Sequence, residues 1–100
     1  MGLLGDEQIE QRLAGAREWR RGEGSPPSGD DAIVRDLSFE DFAAAIAFVD
    51  RVAEAAESAD HHPDILVHGW NKVRLTLSTH SQGGLTDADF QLAGQIDRLV

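Results

Sequence analysis

Residues 72–80, "KVRLTLSTH", alternate without a break. Val73, Leu75, Leu77 and Thr79 fall on one side, Arg74, Thr76, Ser78 and His80 on the other. A period of two with one apolar side describes a strand whose sheet is buried on one face and wet on the other. Such a strand needs a neighbour, and residues 65–70 supply it as the first arm of a hairpin. A sheet with one apolar face must bury that face, and the rest of the chain reads as the cover.

Two helices have marked starts. Before 39–59, Ser38 stands as the N-cap with Asp41 three residues on, an acidic form of the capping box, and Leu37 and Phe42 are spaced as a hydrophobic staple. "LTDADF" repeats that grammar: Leu85 and Phe90 form the staple, Thr86 the cap and Asp89 the third helical position. A shorter helix is expected from 6 to about 16, capped by Asp6, with Ile9 and Leu13 on one face. "REWRRGEG" holds a short strand containing Trp19, and "AIVRDLSF" a second strand. The loop over about 22–31, rich in Gly, Pro and Ser, is expected to be mobile. The order is αββαββα in a single domain over residues 1–100. Paired strands with helices between the pairs predict an α+β sandwich, an antiparallel sheet with its helices on one face. A split ferredoxin-type sheet fits the leading helix poorly.

The helix over 39–59 is apolar on more than one side. Phe42, Ile46, Val49, Ala53 and Ala56 form a stripe, and Ala45, Phe48, Val52 and Ala55 widen it. One arc is expected to face the sheet, and the other, with Phe48 and Val52, a second copy of the chain. The two sheet edges also invite pairing. A homo-oligomer is therefore expected, a tetramer favoured over a dimer.

Composition removes several function classes. The formal charge of −9 opposes binding to phosphate backbones, so no direct nucleic-acid partner is expected. Arg17, Arg20 and Arg21 lie among glutamates and read as a solvated face. With no cysteine, disulfide and thiolate chemistry are absent, which fits a cytoplasmic setting. No stretch is apolar enough to span a bilayer. The start "MGLLGDEQIEQ" lacks the features of a secretory signal, and Asp6 breaks the myristoylation pattern.

Three of the four histidines lie between 61 and 68, and two stand together in "ESADHHPD". Pro63 ends the preceding helix, because a residue before proline is pushed out of the α region. Adjacent side chains at such a junction point in different directions. Histidine can give or take a proton near neutral pH. His61 and His62, with His80 from the strand end, can converge on one pocket, joined by Glu57 and Asp89, which can hold imidazole tautomers. Blander readings stand beside this one. Asp89 serves the capping box, Glu57 a wet helix face, and His68 packing or a hydrogen bond. His61, His62 and His80 are also three candidate zinc ligands, although adjacent histidines rarely reach one ion and no zinc-site spacing is present.

Glu57, three residues, His61-His62-Pro63, six residues, Trp70, nine residues, His80, eight residues, Asp89: this pattern resembles the signature of the pterin-4a-carbinolamine dehydratase family. "DEQIEQRL", the long helix, "WNKVRLTLSTH" and "GLTDADF" are similar to it as well, and the likeness covers nearly the whole chain. The loop over 22–31 departs from it in length and proline content. The resemblance implies an α+β fold with a four-stranded antiparallel sheet, commonly tetrameric. It implies a lyase that removes water from 4a-hydroxytetrahydropterin to give the quinonoid dihydropterin, in tetrahydrobiopterin recycling. By position it implies His61 and His80 as the acid/base pair and His62 as a binding histidine. Glu57 and Asp89 would orient imidazoles or pterin edges, and Trp70 would help shape the site. No metal and no organic cofactor is implied. Relatives that act as a transcription-factor partner or as assembly factors give a competing reading, a non-catalytic binding protein on the same fold.

Overall fold

The computed structural model describes residues 2–24 and 29–100. In chain order the elements are α1 (Asp6–Ala14), β1 (Arg20–Glu23), β2 (Asp31–Ser38), α2 (Phe42–Ala59), β3 (Asp64–His68), β4 (Lys72–Leu77) and α3 (Asp87–Asp97). This is the expected αββαββα order. The four strands form one antiparallel sheet in the order β1-β2-β4-β3. The expected loop over 22–31 is shorter within the described residues. Strand β1 runs to Glu23, β2 starts at Asp31, and the Gly24 N–H donates to the Asp30 carbonyl at 2.6 Å. Residues 25–28, the proline-rich centre of that expectation, lie outside the described residues.

Register assigns the two faces. Ile33 pairs with Leu77, Arg35 with Leu75, and Leu37 with Val73, so these side chains share the helix-covered face. Ile33, Leu37, Val73, Leu75 and Leu77 join Ile9, Trp19, Phe48, Val52, Leu85, Leu92 and Ile96 in one hydrophobic cluster. Arg20, Val34, Thr76 and Asp64 make a row on the opposite, outer face, followed by Asp36, Arg74 and Leu66. His68, expected to pack or bond within a strand, ends β3 on the outer face and is exposed.

Two of the three clustered arginines, Arg20 and Arg21, are ion-paired. Arg20 and Arg74 both reach Asp36, and Arg21 bridges Asp6 and Asp31. Arg74, with Arg20 adding to it, holds the Asp36 carboxyl below the usual aspartate range. A lowered carboxyl pKa gives stability that is present above the unfolded value and lost as pH falls through the folded one. Here the groups are exposed, and screening keeps the contribution small.

The start of α2 differs from expectation. Asp41, not Ser38, is the N-cap, and its carboxylate accepts from the Ala44 N–H at 2.7 Å. The reason is the sheet. Ser38 is still paired with Lys72, and Phe39 is pinned to the hairpin loop in both directions. Its N–H donates to the Asn71 carbonyl at 2.9 Å, and Asn71 Nδ2 donates to the Phe39 carbonyl at 2.9 Å. Helix geometry cannot begin until the chain leaves that clamp. Phe42 therefore makes no staple; it is 55% exposed. In α1 the cap is likewise Gly5 rather than Asp6, with the Gly5 N–H donating to Gln8 Oε1 at 2.9 Å.

The arc of α2 expected to meet a second copy is instead the core arc. Phe48 and Val52, expected at an interface between copies, are both 0% exposed and belong to the core with Ala45 and Ala56. Phe48 lies against Phe39, ring centroids 5.0 Å apart. Of the other stripe, Phe42 and Ala53 are exposed and Ile46 is half-buried, while Val49 packs against the core and Ala56 belongs to it. Both stripes have helical spacing, so the spacing does not select between them.

Phe48→Ala is expected to lower unfolding stability by about 3–5 kcal/mol, the usual cost of emptying a buried aromatic position. Phe42→Ala is expected to cost less than about 1 kcal/mol, as for an exposed site. Urea titration of both variants checks the ranking, and the reverse order would place the wrong arc in the core.

Candidate active site

Helix α2 ends on Asp60, which adopts a left-handed conformation at φ 51°. The His61 N–H donates back to the Ala56 carbonyl at 3.1 Å, closing the helix with a wide turn. That reversal sends the two following side chains apart. His62 Nε2 lies 2.9 Å from Glu57 Oε2, one turn back on α2, and both groups are exposed. His61 turns toward α3, where its Nε2 lies 2.6 Å from Asp89 Oδ1, with the side chain only 14% exposed.

Asp89 is the centre of the arrangement and is 0% exposed. Its Oδ2 accepts the Thr86 N–H at 2.9 Å, the bond expected of a capping box at the start of α3. The same oxygen accepts the Thr79 hydroxyl at 2.8 Å, and Thr79 Oγ1 lies 2.8 Å from Thr86 Oγ1. The two alternatives for Asp89, helix cap or imidazole partner, are thus both true of one side chain. A carboxylate has two oxygens, and each takes one of the duties.

Thr79 is a site residue that the motif spacing does not mark. Alternation puts it on the apolar side of the second hairpin strand, with Val73, Leu75 and Leu77. That placement held the signal, because a hydroxyl at a core-facing position must find a partner. Strand β4 ends at Leu77, and Thr79 forms a separate bridge with Gly84. His80 follows directly, exposed at the start of the tight loop that Gly83 turns at φ 74°. His80 is thereby one residue from the hydroxyl that shares Asp89 with His61.

Trp70 is not brought to this place. It lies in the loop joining β3 and β4, at φ 59° and 63% exposed. The histidines sit at the other end of that hairpin, where Asp64 pairs with Thr76. Strand rise puts the two ends roughly 15–20 Å apart. The expectation that Trp70 shapes the same pocket does not hold within one chain. The pattern gave a spacing in sequence, and a hairpin reverses direction along it.

A cavity of about 740 Å³ opens on the outer sheet face, lined among others by Arg20, Val34, Leu66, Arg74 and Thr76. Its rim includes Pro63 and Asp64, the residues directly after the histidine pair, but no histidine lines it. Among the described residues no group of three or more His, Cys, Asp or Glu side chains is placed to hold a metal ion. Nor is any helix of the described residues long and apolar enough to cross a membrane. What the site can do chemically is move protons. It offers one imidazole anchored on a buried carboxylate, a second on an exposed carboxylate, and a third on a neighbouring loop.

Comparison with known proteins gives the chain's relatives. A Nocardia farcinica protein provisionally named a pterin-4-alpha-carbinolamine dehydratase is 56% identical over 98 residues, which cover 98% of this chain and 95% of that protein. A solved structure described as a transcriptional coactivator/pterin dehydratase from Brucella melitensis superposes with a TM-score of 0.84 at 31% identity, covering 98% of both chains. A second, described as a pterin dehydratase-like protein and a RuBisCO assembly factor in the alpha-carboxysome, superposes with a TM-score of 0.63 at 28% identity, covering 82% of this chain and 88% of that one. The profile of the pterin 4 alpha carbinolamine dehydratase family matches residues 2–99, and the chain belongs to that family.

Proposed function

We propose that this chain is a dehydratase that removes water from a 4a-hydroxytetrahydropterin to give the quinonoid dihydropterin. The observation that carries the reading is the His61–Asp89 pair, a nearly buried imidazole held at 2.6 Å by a wholly buried carboxylate beside the His80 loop. The reaction breaks the C4a–O bond and forms a double bond between C4a and N5. It needs a proton delivered to the departing hydroxyl and a proton removed from N5. Two imidazoles meet both needs near neutral pH, and neither step requires electron transfer. His61 and His80 are the acid/base pair, and His62, steadied by Glu57, is a binding histidine. Trp70 is left out of the site because of its place at the far hairpin end.

A second reading, a binding or assembly protein on this fold, is favoured by the likeness to the protein described as a RuBisCO assembly factor. The family site argues for chemistry: His61, His62, His80, Glu57 and Asp89 are all present, and two carboxylate–imidazole pairs are formed. Both readings share a fold, and only the site separates them.

His61→Ala and His80→Ala are each expected to slow dehydration of chemically generated carbinolamine by about 10²-fold or more, the scale of a positioned acid or base. His68→Ala and Trp70→Ala should leave the rate nearly unchanged, and EDTA should not lower it. A rate in wild-type protein no faster than the uncatalysed background would favour the binding reading.

The protein also works as a homo-oligomer, a tetramer favoured, in this proposal. The outward arc of α2 leaves Phe42 in water, and the free edge strand β3 leaves Ile65 and Leu66 exposed. Burying each large apolar side chain contributes roughly 1.5–3 kcal/mol, and symmetric pairing of helices and edges is the usual solution. Phe42→Glu should lower the mass measured by light scattering without unfolding the chain. A wild-type monomer at micromolar concentration would overturn this part of the proposal.

A further inference from the structure

With Asp89 taken as a carboxylate, the hydrogen bonds around it run in one direction, and that direction selects a ring nitrogen of His61. Oδ2 accepts the backbone N–H of Thr86, a donor that cannot reverse, and the hydroxyl proton of Thr79. A threonine hydroxyl has one proton to give. Since Thr79 gives its proton to Asp89, it must accept from Thr86 Oγ1 at 2.8 Å. The chain of protons therefore runs from Thr86 through Thr79 to Asp89. With two donors on Oδ2 and no water contact at Asp89, these bonds are what support a negative carboxylate. Against such a carboxylate, Nε2 of His61 at 2.6 Å is attractive only if it carries a proton. The neutral ring then has its lone pair on Nδ1, to which no described residue is bonded.

We propose that Thr79 and Thr86 are positioning residues that, through Asp89, hold His61 as its Nε2–H tautomer and make Nδ1 the nitrogen that exchanges a proton with the substrate. As a base, Nδ1 takes the N5 proton, and the imidazolium formed is held by the Asp89 carboxylate. In the acid role instead, the imidazolium delivers its Nδ1 proton to the departing C4a hydroxyl, which leaves as water, while His80 takes the N5 proton. Either transfer leaves the Nε2 proton where it was. The catalytic consequence rests on the dehydratase reading; the tautomer does not.

Long-range ¹H–¹⁵N spectra of the full chain, labelled with ¹⁵N and recorded above the histidine titration, read the tautomer without any activity. Wild-type His61 should show a protonated Nε2 and a bare Nδ1. Asp89→Asn is the decisive variant. Its amide oxygen must take the Oδ2 position to satisfy Thr79 and Thr86, so its NH₂ group faces Nε2 and drives the ring to the Nδ1–H form. Dehydration should then fall by about 10²-fold or more, as expected for a wrong tautomer. Thr79→Val should lower kcat about tenfold with KM nearly unchanged, the loss of one hydrogen bond to a charged group. It should also shift the His61 Nε2 proton resonance, and Thr79→Ser should restore both. A wild-type Nδ1–H ring, or an Nε2–H ring persisting in Asp89→Asn, overturns the proposal. So does Thr79→Val with both resonance and kcat unchanged. Expected tautomers in a wild-type protein that does not dehydrate the carbinolamine would refute the dehydratase reading and leave the hydrogen-bond assignment standing. Should Asp89→Asn not fold, the wild-type tautomer and the Thr79→Val resonance decide.

Discussion

A carboxylate with no access to water sits where the ends of three elements meet, and the rest of the site follows from satisfying it. Asp89 takes the first free N–H of α3, the hydroxyl beyond the end of β4 and the imidazole beyond the end of α2. Removing one partner of a buried charge typically costs a few kcal/mol. The three ends are therefore held to one geometry by a single group's need for donors. Packing alone would leave them free to slide, because apolar contact has no direction.

The same logic separates scaffold from reactive groups. The Asp89 shell is dry, while His62 and His80 are exposed and their side chains, among the described residues, make no hydrogen bond beyond the local Glu57 contact. A rigid, buried anchor beside two solvent-facing imidazoles suits a reaction whose steps are all proton transfers. One partner must be held in a defined protonation state, and the others must exchange with substrate and water. The helix cap and the hydrogen-bond partner of His61 are one carboxylate, so folding of α3 and the placement of His61 are coupled.

Helix α2 shows where pattern stops being informative. Both of its apolar stripes have helical period, and residue type does not rank them. The sheet ranks them. Ser38 remains paired and Phe39 is clamped by Asn71, which delays the helix to Asp41 and sets Phe39 against Phe48. The Ser38 cap and the Leu37–Phe42 staple both give way to that clamp. Trp70 stands at the far end of the hairpin, which its spacing does not show. Its spacing from the histidines says nothing about direction, and a hairpin folds the chain back on itself.

The sequence by itself determined the element order, the one-sided antiparallel sheet and the family, and it singled out His61, His62, His80, Glu57 and Asp89 as the site candidates. These are local or periodic properties: alternation along β4, a cap with its acid three residues on, histidines before a helix-ending proline, and fixed gaps between chemical groups. Only the tertiary structure decided which arc of α2 is core and which histidine each acid holds. It also decided that Thr79 completes the Asp89 shell and that Trp70 stands apart. Those are outcomes of long-range pairing, where distant parts of the chain compete for the same donor, acceptor or apolar surface. No local pattern encodes the winner of that competition, because the energy that settles it exists only once the elements have met.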